Sequence, residues 1–389
     1  MNEKETVSFP QGTTRRGFLS GASGALAAGG AAGAMGPLTA AAPAAAPPGG
    51  QQLPATNRVG AVAYCLQYAI GLFNYQKRPG ERFDAVKFVD ATRQAGGSVA
   101  QLYVSMIQPL DEEGLKRLRR RAAELDVMLE VHGGTAFAPQ FERTLQQAAV
   151  LGAKVVGTSF GMLTRPNVID TLPAWDEHLA KCKARLRQLV EKARPLGITV
   201  AVENHLDLTV EELRDMIREI DSPHAGVLFD VGNTVGTLDD PSEAADLLGP
   251  YTVATHYKDF AIEEVTRGFR FTMVPLGAGS LRLREITARL LKHVSPEMGM
   301  SIEMLNGQQF EVRWLEDRFW GAFRDKSARQ VAATLRHVRS KAIDISQFKP
   351  QEEIDKLPHG EHVQFELDRM AACIAHLKRL LQQHGGQKT

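Results

Sequence analysis

Residues 199–205 read TVAVENH, a Val-rich apolar run that closes on a carboxylate, an amide and an imidazole. An ionised Glu among Val and Ala is costly unless something pairs with it, so this segment belongs to a core and ends in a site. Working outward, seven further runs share its character: VGAVAYC from Val59, SVAQLYV from Ser98, VMLEVHGG from Val127, KVVGTSFG from Lys154, AGVLFDVGN from Ala225, YTVATHYKD from Tyr251 and GMSIEML from Gly299. Near-continuous apolar runs are expected of strands buried on both faces of a parallel sheet. Between them lie segments such as DEEGLKRLRRRAAELD and EHLAKCKARLRQLVEKARPLG, whose apolar residues recur every three or four positions. Acidic residues open the first and Gly197 closes the second, as helix ends do. Strand then helix, eight times over, predicts an α/β fold of the (β/α)8 TIM-barrel kind. A doubly wound open sheet is the competitor, but no G-x-G-x-x-G follows the first strand.

The barrel is assigned to residues 57–323 of a 389-residue chain. Two regions fall outside the repeat. The long connection from Phe260 to Leu281, with RGFRFTMVPLGAGS, is expected to fold over the barrel mouth as a small hairpin or lid. Residues 324–389 read as a C-terminal helical extension of two helices, the last striped by Leu367, Met370, Ile374, Leu377 and Leu381. That stripe is expected to pack on the barrel wall, with a contact in a homo-oligomer as the alternative.

The N-terminus has a different logic. In TTRRGFLSGASGALAAGGAAGAMG, Arg15 and Arg16 precede Phe18 and Leu19, and an Ala/Gly stretch follows. This resembles a bacterial twin-arginine (Tat) signal peptide, so residues 1–50 are expected to be signal and linker, cleaved at an A-x-A pattern around Ala40 to Ala46. The resemblance implies the Tat export machinery as a partner and a periplasmic or secreted mature protein, folded before export. Ala and Gly are poor substitutes for Leu in hydrocarbon, so no stable membrane span is expected after processing. The formal charge of +1 argues against a nucleic-acid partner. Cys65, Cys182 and Cys373 are odd in number and widely spaced, and are expected to be packed small residues.

In a (β/α)8 barrel the polar residues that close the strands converge at the C-terminal face. Across the last four strands these are Glu203, Asp230, His256 and Glu303. Three carboxylates a few ångströms apart cannot all stay ionised without compensating positive charge, and a divalent cation supplies it. Oxygen-rich ligation with one imidazole suits Mn2+, Mg2+ or Co2+, with Zn2+ as an alternative.

The pattern VAVENH, VLFDVGN, VATHYKD and SIEML resembles the sugar (phosphate) isomerase and epimerase family of xylose-isomerase-like TIM barrels, which also includes relatives of endonuclease IV. By that resemblance Glu203, Asp230, His256 and Glu303 take the four metal-ligand positions, and Glu203 and Glu303 double as the catalytic acid/base pair. The implied activity is a metal-dependent isomerisation or epimerisation of a keto sugar or related polyol through an enediolate. Candidate substrate-binding residues share the same mouth: His132 in EVHGG, His205 two residues after Glu203, Asn233 in FDVGN and Lys258 two residues after His256. Asp259 and the run from Lys116 to Arg121 are read as structural, and Trp314, Phe319, Trp320 and Phe323 as aromatic core in preference to a sugar-stacking wall. The first two strands offer Tyr64, Gln67, Gln101 and Tyr103 to the substrate end.

Export disfavours phosphorylated sugars, so an unphosphorylated small carbohydrate is the expected substrate. The runner-up is a metal-dependent dehydratase or lyase acting on a keto sugar or inosose, which diverges only after the enediolate forms. An endonuclease-IV-like phosphodiesterase needs further His and Glu ligands that VAYCLQY and AQLYVSM do not offer. A non-catalytic periplasmic sugar-binding protein is the remaining reading.

Overall fold

The computed structural model describes residues 57–385, apart from 163, 306, 307, 325 and 340–342. The twin-arginine-like stretch and its linker lie outside the described residues. Each of the eight apolar runs supplies one barrel strand: β1 (Val59–Val62), β2 (Val99–Tyr103), β3 (Met128–Thr135), β4 (Val155–Ser159), β5 (Thr199–Glu203), β6 (Ala225–Asp230), β7 (Thr252–Tyr257) and, after a hairpin of β8 (Asp259–Val265) and β9 (Gly268–Val274), β10 (Met300–Ile302). They pair in parallel in the order β1-β2-β3-β4-β5-β6-β7-β10 and close on β1. A parallel register carries every C-terminal strand end to one rim, which is what brings distant polar residues together.

Helices α1 (Ala85–Gln94), α2 (Glu112–Glu124), α3 (Phe141–Leu151), α4 (Leu172–Ala193), α5 (Val210–Ile220), α6 (Pro241–Leu248) and α7 (Leu283–Leu290) return the chain between successive barrel strands. Their caps are written in the sequence. Asp111 accepts the Gly114 N–H at the start of α2, and Thr209 and Glu212 form a reciprocal capping box on α5. Beyond β10 come a helix α8 (Ala328–Arg339) and a long helix α9 (His359–Gly385). The expected stripe on α9 is realised, with Met370, Ile374, Leu377 and Leu381 buried and Leu367 packed beside them. α9 lies against β1, β10 and α7, so it takes the place of the eighth barrel helix. Among the described residues no helix is long and apolar enough to cross a membrane.

The expected hairpin is β8 and β9, antiparallel, with a third strand β11 (Gln309–Val312) added from beyond β10. Gly268 sits at φ +152°, and a Cβ there would meet the Val312 carbonyl, so only glycine lets β11 approach. Asp259 is structural as expected. Its carboxylate accepts the N–H groups of Phe260, Gly277, Gly279 and Leu281 at 2.9 to 3.1 Å and so folds the PLGAGS loop onto itself. The aromatics after β10 are core: Phe319 and Phe323 stack at 4.7 Å, and Phe323 and Trp175 sandwich the buried Arg165 guanidinium. All three cysteines are free and buried, as expected.

Glu366 on α9 accepts the backbone N–H groups of Tyr68 and Ala69 at 2.9 and 3.0 Å, tying the last helix to the loop that follows β1. Burial pushes its carboxyl up to about 8, against the two amides that favour the ionised form. Glu366→Ala should lower unfolding stability by about 2–4 kcal/mol, because two buried donors lose their acceptor. A carboxyl raised in the folded state contributes stability at acid pH that is lost as pH rises through the folded value. Urea titrations of the wild type should therefore show stability falling between about pH 5 and 8, and Glu366→Gln should flatten that slope; an unchanged slope would remove Glu366 as its source.

Candidate active site

The parallel register places Glu203 at the end of β5, Asp230 at the end of β6, His256 in β7 and Glu303 just past β10. One ligand atom from each lies within 4.8 Å of those of the other three, and all four residues are buried. The His256 ring turns Nδ1 toward the carboxylates, 3.3 Å from Glu203 Oε1, 3.1 Å from Glu303 Oε2 and 3.9 Å from Asp230 Oδ2. Asn204, between Glu203 and His205, explains the amide in VAVENH: its side chain donates to the Asp230 carbonyl at 2.9 Å and accepts the Asp230 N–H at 2.8 Å. It clamps the ends of β5 and β6 at one height, and with them Glu203 and Asp230, two of the three carboxyl-bearing positions.

The second group of candidates divides. The Gly134 N–H donates to His132 Nδ1 at 3.2 Å and the Tyr64 hydroxyl lies 3.3 Å from the same atom, so Nδ1 is the bare nitrogen. Nε2 then carries the proton and donates to Glu203 Oε2 at 3.3 Å. Burial lowers the His132 pKa, which agrees with a neutral ring. Asn233 donates to Glu203 Oε1 at 3.2 Å, so both oxygens of that carboxylate are held. Lys258 reaches into the cluster, its Nζ 2.6 Å from Asp230 Oδ2 and 2.7 Å from Glu303 Oε2. His205 instead turns Nδ1 to the Gly161 carbonyl at 2.8 Å and braces the loop after β4.

Burial opposes charge at every one of these groups, and the neighbours decide the outcome. The imidazoles of His205, His256 and His132 overcome burial at Glu203 and hold its carboxyl well below the usual range. Lys258 and His256 do the same for Glu303. Burial prevails at Asp230, whose carboxyl is raised despite Lys258 and with Glu303 and Glu203 adding to the rise. Burial would lower His256 and Lys258, but the carboxylates around them hold both above their ordinary values. Three carboxylates facing an ammonium and a protonated imidazole leave at most one net negative charge, and a divalent cation that took the place of the His256 proton would cancel it. Asp230 Oδ2 and Glu303 Oε2 are buried against the Lys258 ammonium at 2.6 and 2.7 Å, and Glu303 Oε2 also lies 3.1 Å from His256 Nδ1. Three carboxylate oxygens and one imidazole nitrogen, converging within 4.8 Å of one another, fit a divalent metal ion.

Two buried residues below the cluster carry weight that the sequence understated. Gln101, which the sequence offers to the substrate end, lays its amide against His256 Nε2 at 2.7 Å. Glu130 stood unnoticed inside VMLEVHGG, although period two along the strand puts it on the same barrel-facing side as His132; its carboxylate accepts the Gln101 amide N–H at 3.0 Å.

A closed parallel barrel with a buried Glu/Asp/His/Glu group at the C-terminal rim defines the class: a (β/α)8 protein whose rim carries a group of side chains that could hold a metal ion. A family model described as xylose isomerase-like TIM barrel matches residues 83–340, and the chain belongs to that family. It is 26% identical over 278 residues to the 3-oxo-isoapionate decarboxylase of Pectobacterium atrosepticum, a match covering 69% of this chain and 93% of that one. Among solved structures, a D-psicose 3-epimerase in the presence of D-fructose superposes with a TM-score of 0.54 at 14% identity, covering 84% of this chain and 99% of the other. An L-ribulose 3-epimerase gives 0.53 at 14% identity, covering 85% and 96%. At these identities the structural likeness is one of fold.

Because His256 is held protonated by the carboxylates facing it, a divalent ion must displace the proton from Nδ1. Mn2+ added to chelator-treated protein should therefore release about one proton near neutral pH and bind up to about tenfold more tightly per pH unit as pH rises. Calorimetric titrations in buffers of different ionisation enthalpy read that proton directly; heats independent of buffer would show a ring already neutral.

Proposed function

We propose that this protein is a divalent-metal-dependent isomerase or epimerase of an unphosphorylated keto sugar or related polyol. The observation that carries the reading is the buried cluster of Glu203, Asp230, His256 and Glu303, with its two glutamates at the ends of strands three places apart around the barrel. A bound cation supplies the positive charge that offsets the enediolate developing on the substrate's carbonyl and neighbouring hydroxyl oxygens.

Glu203 and Glu303 are the acid/base pair. Both oxygens of Glu203 are held by N–H groups of His132 and Asn233, which fixes its orientation and keeps it ionised, the state a base requires. Glu303 approaches from another side of the barrel and is ionised at rest. Inversion therefore has Glu203 take the proton from one face of the substrate carbon and Glu303, after taking a proton from solvent, return that one to the other face, while Glu203 gives its proton up to solvent. Lys258, beside Asp230 and Glu303, keeps neighbouring carboxylates charged at close quarters. Asn233 and Lys258 present N–H groups to substrate hydroxyls, His132 is committed to Glu203 through its Nε2–H, and His205 shapes the rim through the β4 loop. The twin-arginine-like leader supports export, and phosphorylated sugars are scarce outside the cytoplasm.

A second reading, a lyase, is favoured by the decarboxylase similarity. Loss of CO2 from a 3-oxo acid that carries a hydroxyl on C2 leaves an enediolate of the kind that C–H deprotonation of a ketose gives, so one site serves either outcome.

The test is incubation of Mn2+-loaded protein with a panel of free ketoses in D2O, followed by NMR. Deuterium at the carbon next to the carbonyl, with or without inverted product, supports the isomerase reading. CO2 release from 3-oxo sugar acids without exchange on ketoses moves the assignment to the lyase. Glu203→Gln and Glu303→Gln should each reduce turnover by about 10²–10⁴-fold with the fold retained; a glutamine variant that exchanges at the wild-type rate would remove that residue from the pair.

A further inference from the structure

The metal-ligand candidate His256 has two ring nitrogens, and only Nδ1 faces the carboxylates. For Nδ1 to ligate, the ring must carry its remaining proton on Nε2, and that N–H must find an acceptor inside a closed barrel. The acceptor is Gln101 Oε1 at 2.7 Å. An amide that accepts on one side donates on the other, and the Gln101 Nε2 donates to Glu130 Oε2 at 3.0 Å. Gln101 and Glu130 are direct register partners across β2 and β3, so the backbone sets their spacing. Both are almost fully buried, at 1% and 3% exposure, which leaves the amide few other partners. Space for the carboxylate is made by Gly299, where a Cβ would lie 2.8 Å from Glu130 Oε1.

We propose that Gln101 and Glu130 are positioning residues of the metal centre: Glu130 orients the Gln101 amide, and Gln101 in turn holds His256 as the Nε2–H tautomer with Nδ1 aimed at the ion. The polarity of the chain comes from its far end. An ionised carboxylate can only accept, so with Glu130 ionised the Gln101 amide cannot turn round, and because burial raises that carboxyl to about 7 the affinities are compared above that pH. Were the amide to turn, its NH2 would face His256 Nε2 and favour a proton on Nδ1, where the ion must bind. This inference rests on reading Glu203, Asp230, His256 and Glu303 as a metal site.

The test measures Mn2+ affinity of the full-length protein by competition with a chelator. Gln101→Met, close in volume but unable to accept, should weaken Mn2+ binding about 10–100-fold, and Glu130→Gln should weaken it by a smaller factor because its amide no longer dictates orientation. Gln101→Met leaves the Glu130 carboxylate without its donor and could cost stability, so the double variant Gln101→Met/Glu130→Met is the control. Replacing both partners by apolar groups of similar shape is close to neutral for folding, and it should retain the wild-type melting temperature in chelator while keeping the loss of affinity. A protected imidazole N–H proton, seen by NMR in the Zn2+-loaded wild type and lost in Gln101→Met, reports the tautomer directly. Double-variant affinity within twofold of wild type, or the N–H signal persisting in Gln101→Met, overturns the inference while leaving the metal site intact. Failure of the wild type itself to bind any divalent ion overturns the metal reading, and the inference with it.

Discussion

Three carboxylates confined to one buried volume repel one another strongly, and the architecture of the barrel rim is a response to that repulsion. Lys258 stands 2.6 and 2.7 Å from two of them, His256 faces all three, and His132 and Asn233 each donate to Glu203. Without such partners the carboxyls would take up protons in a low-dielectric interior. The arrangement suits them to hold a cation beside a small ligand, which is why the cluster and not the fold decides the functional reading.

Holding charges in place requires a frame that cannot relax. Asn204 locks the ends of β5 and β6 to each other through both of its amide atoms. Asp259 gathers four backbone N–H groups and so fixes the loop that follows the hairpin. Glu366 fastens the last helix to the loop after β1, where Tyr64 leans on His132. In each case a polar side chain satisfies backbone groups that neither strand nor helix pairs, so the loops of the rim are tied to the elements beside them.

Much of this is legible along the chain. The eight Val-rich runs are the eight strands, because burial on both faces of a parallel sheet leaves a signal that needs no partner to be recognised. Glu203, Asp230, His256 and Glu303 stand out for the same reason: each ends an apolar run, and the topology sends those ends to one rim. The α9 stripe announced a packed helix, but not that the helix would stand between β1 and β10. Glu130 and Gln101 were harder. One lies in mid-run and the other on an early strand, and their meaning depends on pairing across β2 and β3.

What the sequence determined by itself was local and periodic: which segments are strands, which are helices, where they are capped, and which polar residues terminate apolar runs. These follow from burial and hydrogen-bonding needs that each segment meets alone. Only the tertiary structure decided which nitrogen of His256 faces the carboxylates, that Lys258 is drawn in among them, that His205 turns to the β4 loop, and that Gln101 looks toward His256. Those outcomes depend on distances of about 3 Å between residues far apart in the chain, and a charge or hydrogen bond at that range is set by the closed barrel and not by any one of its strands.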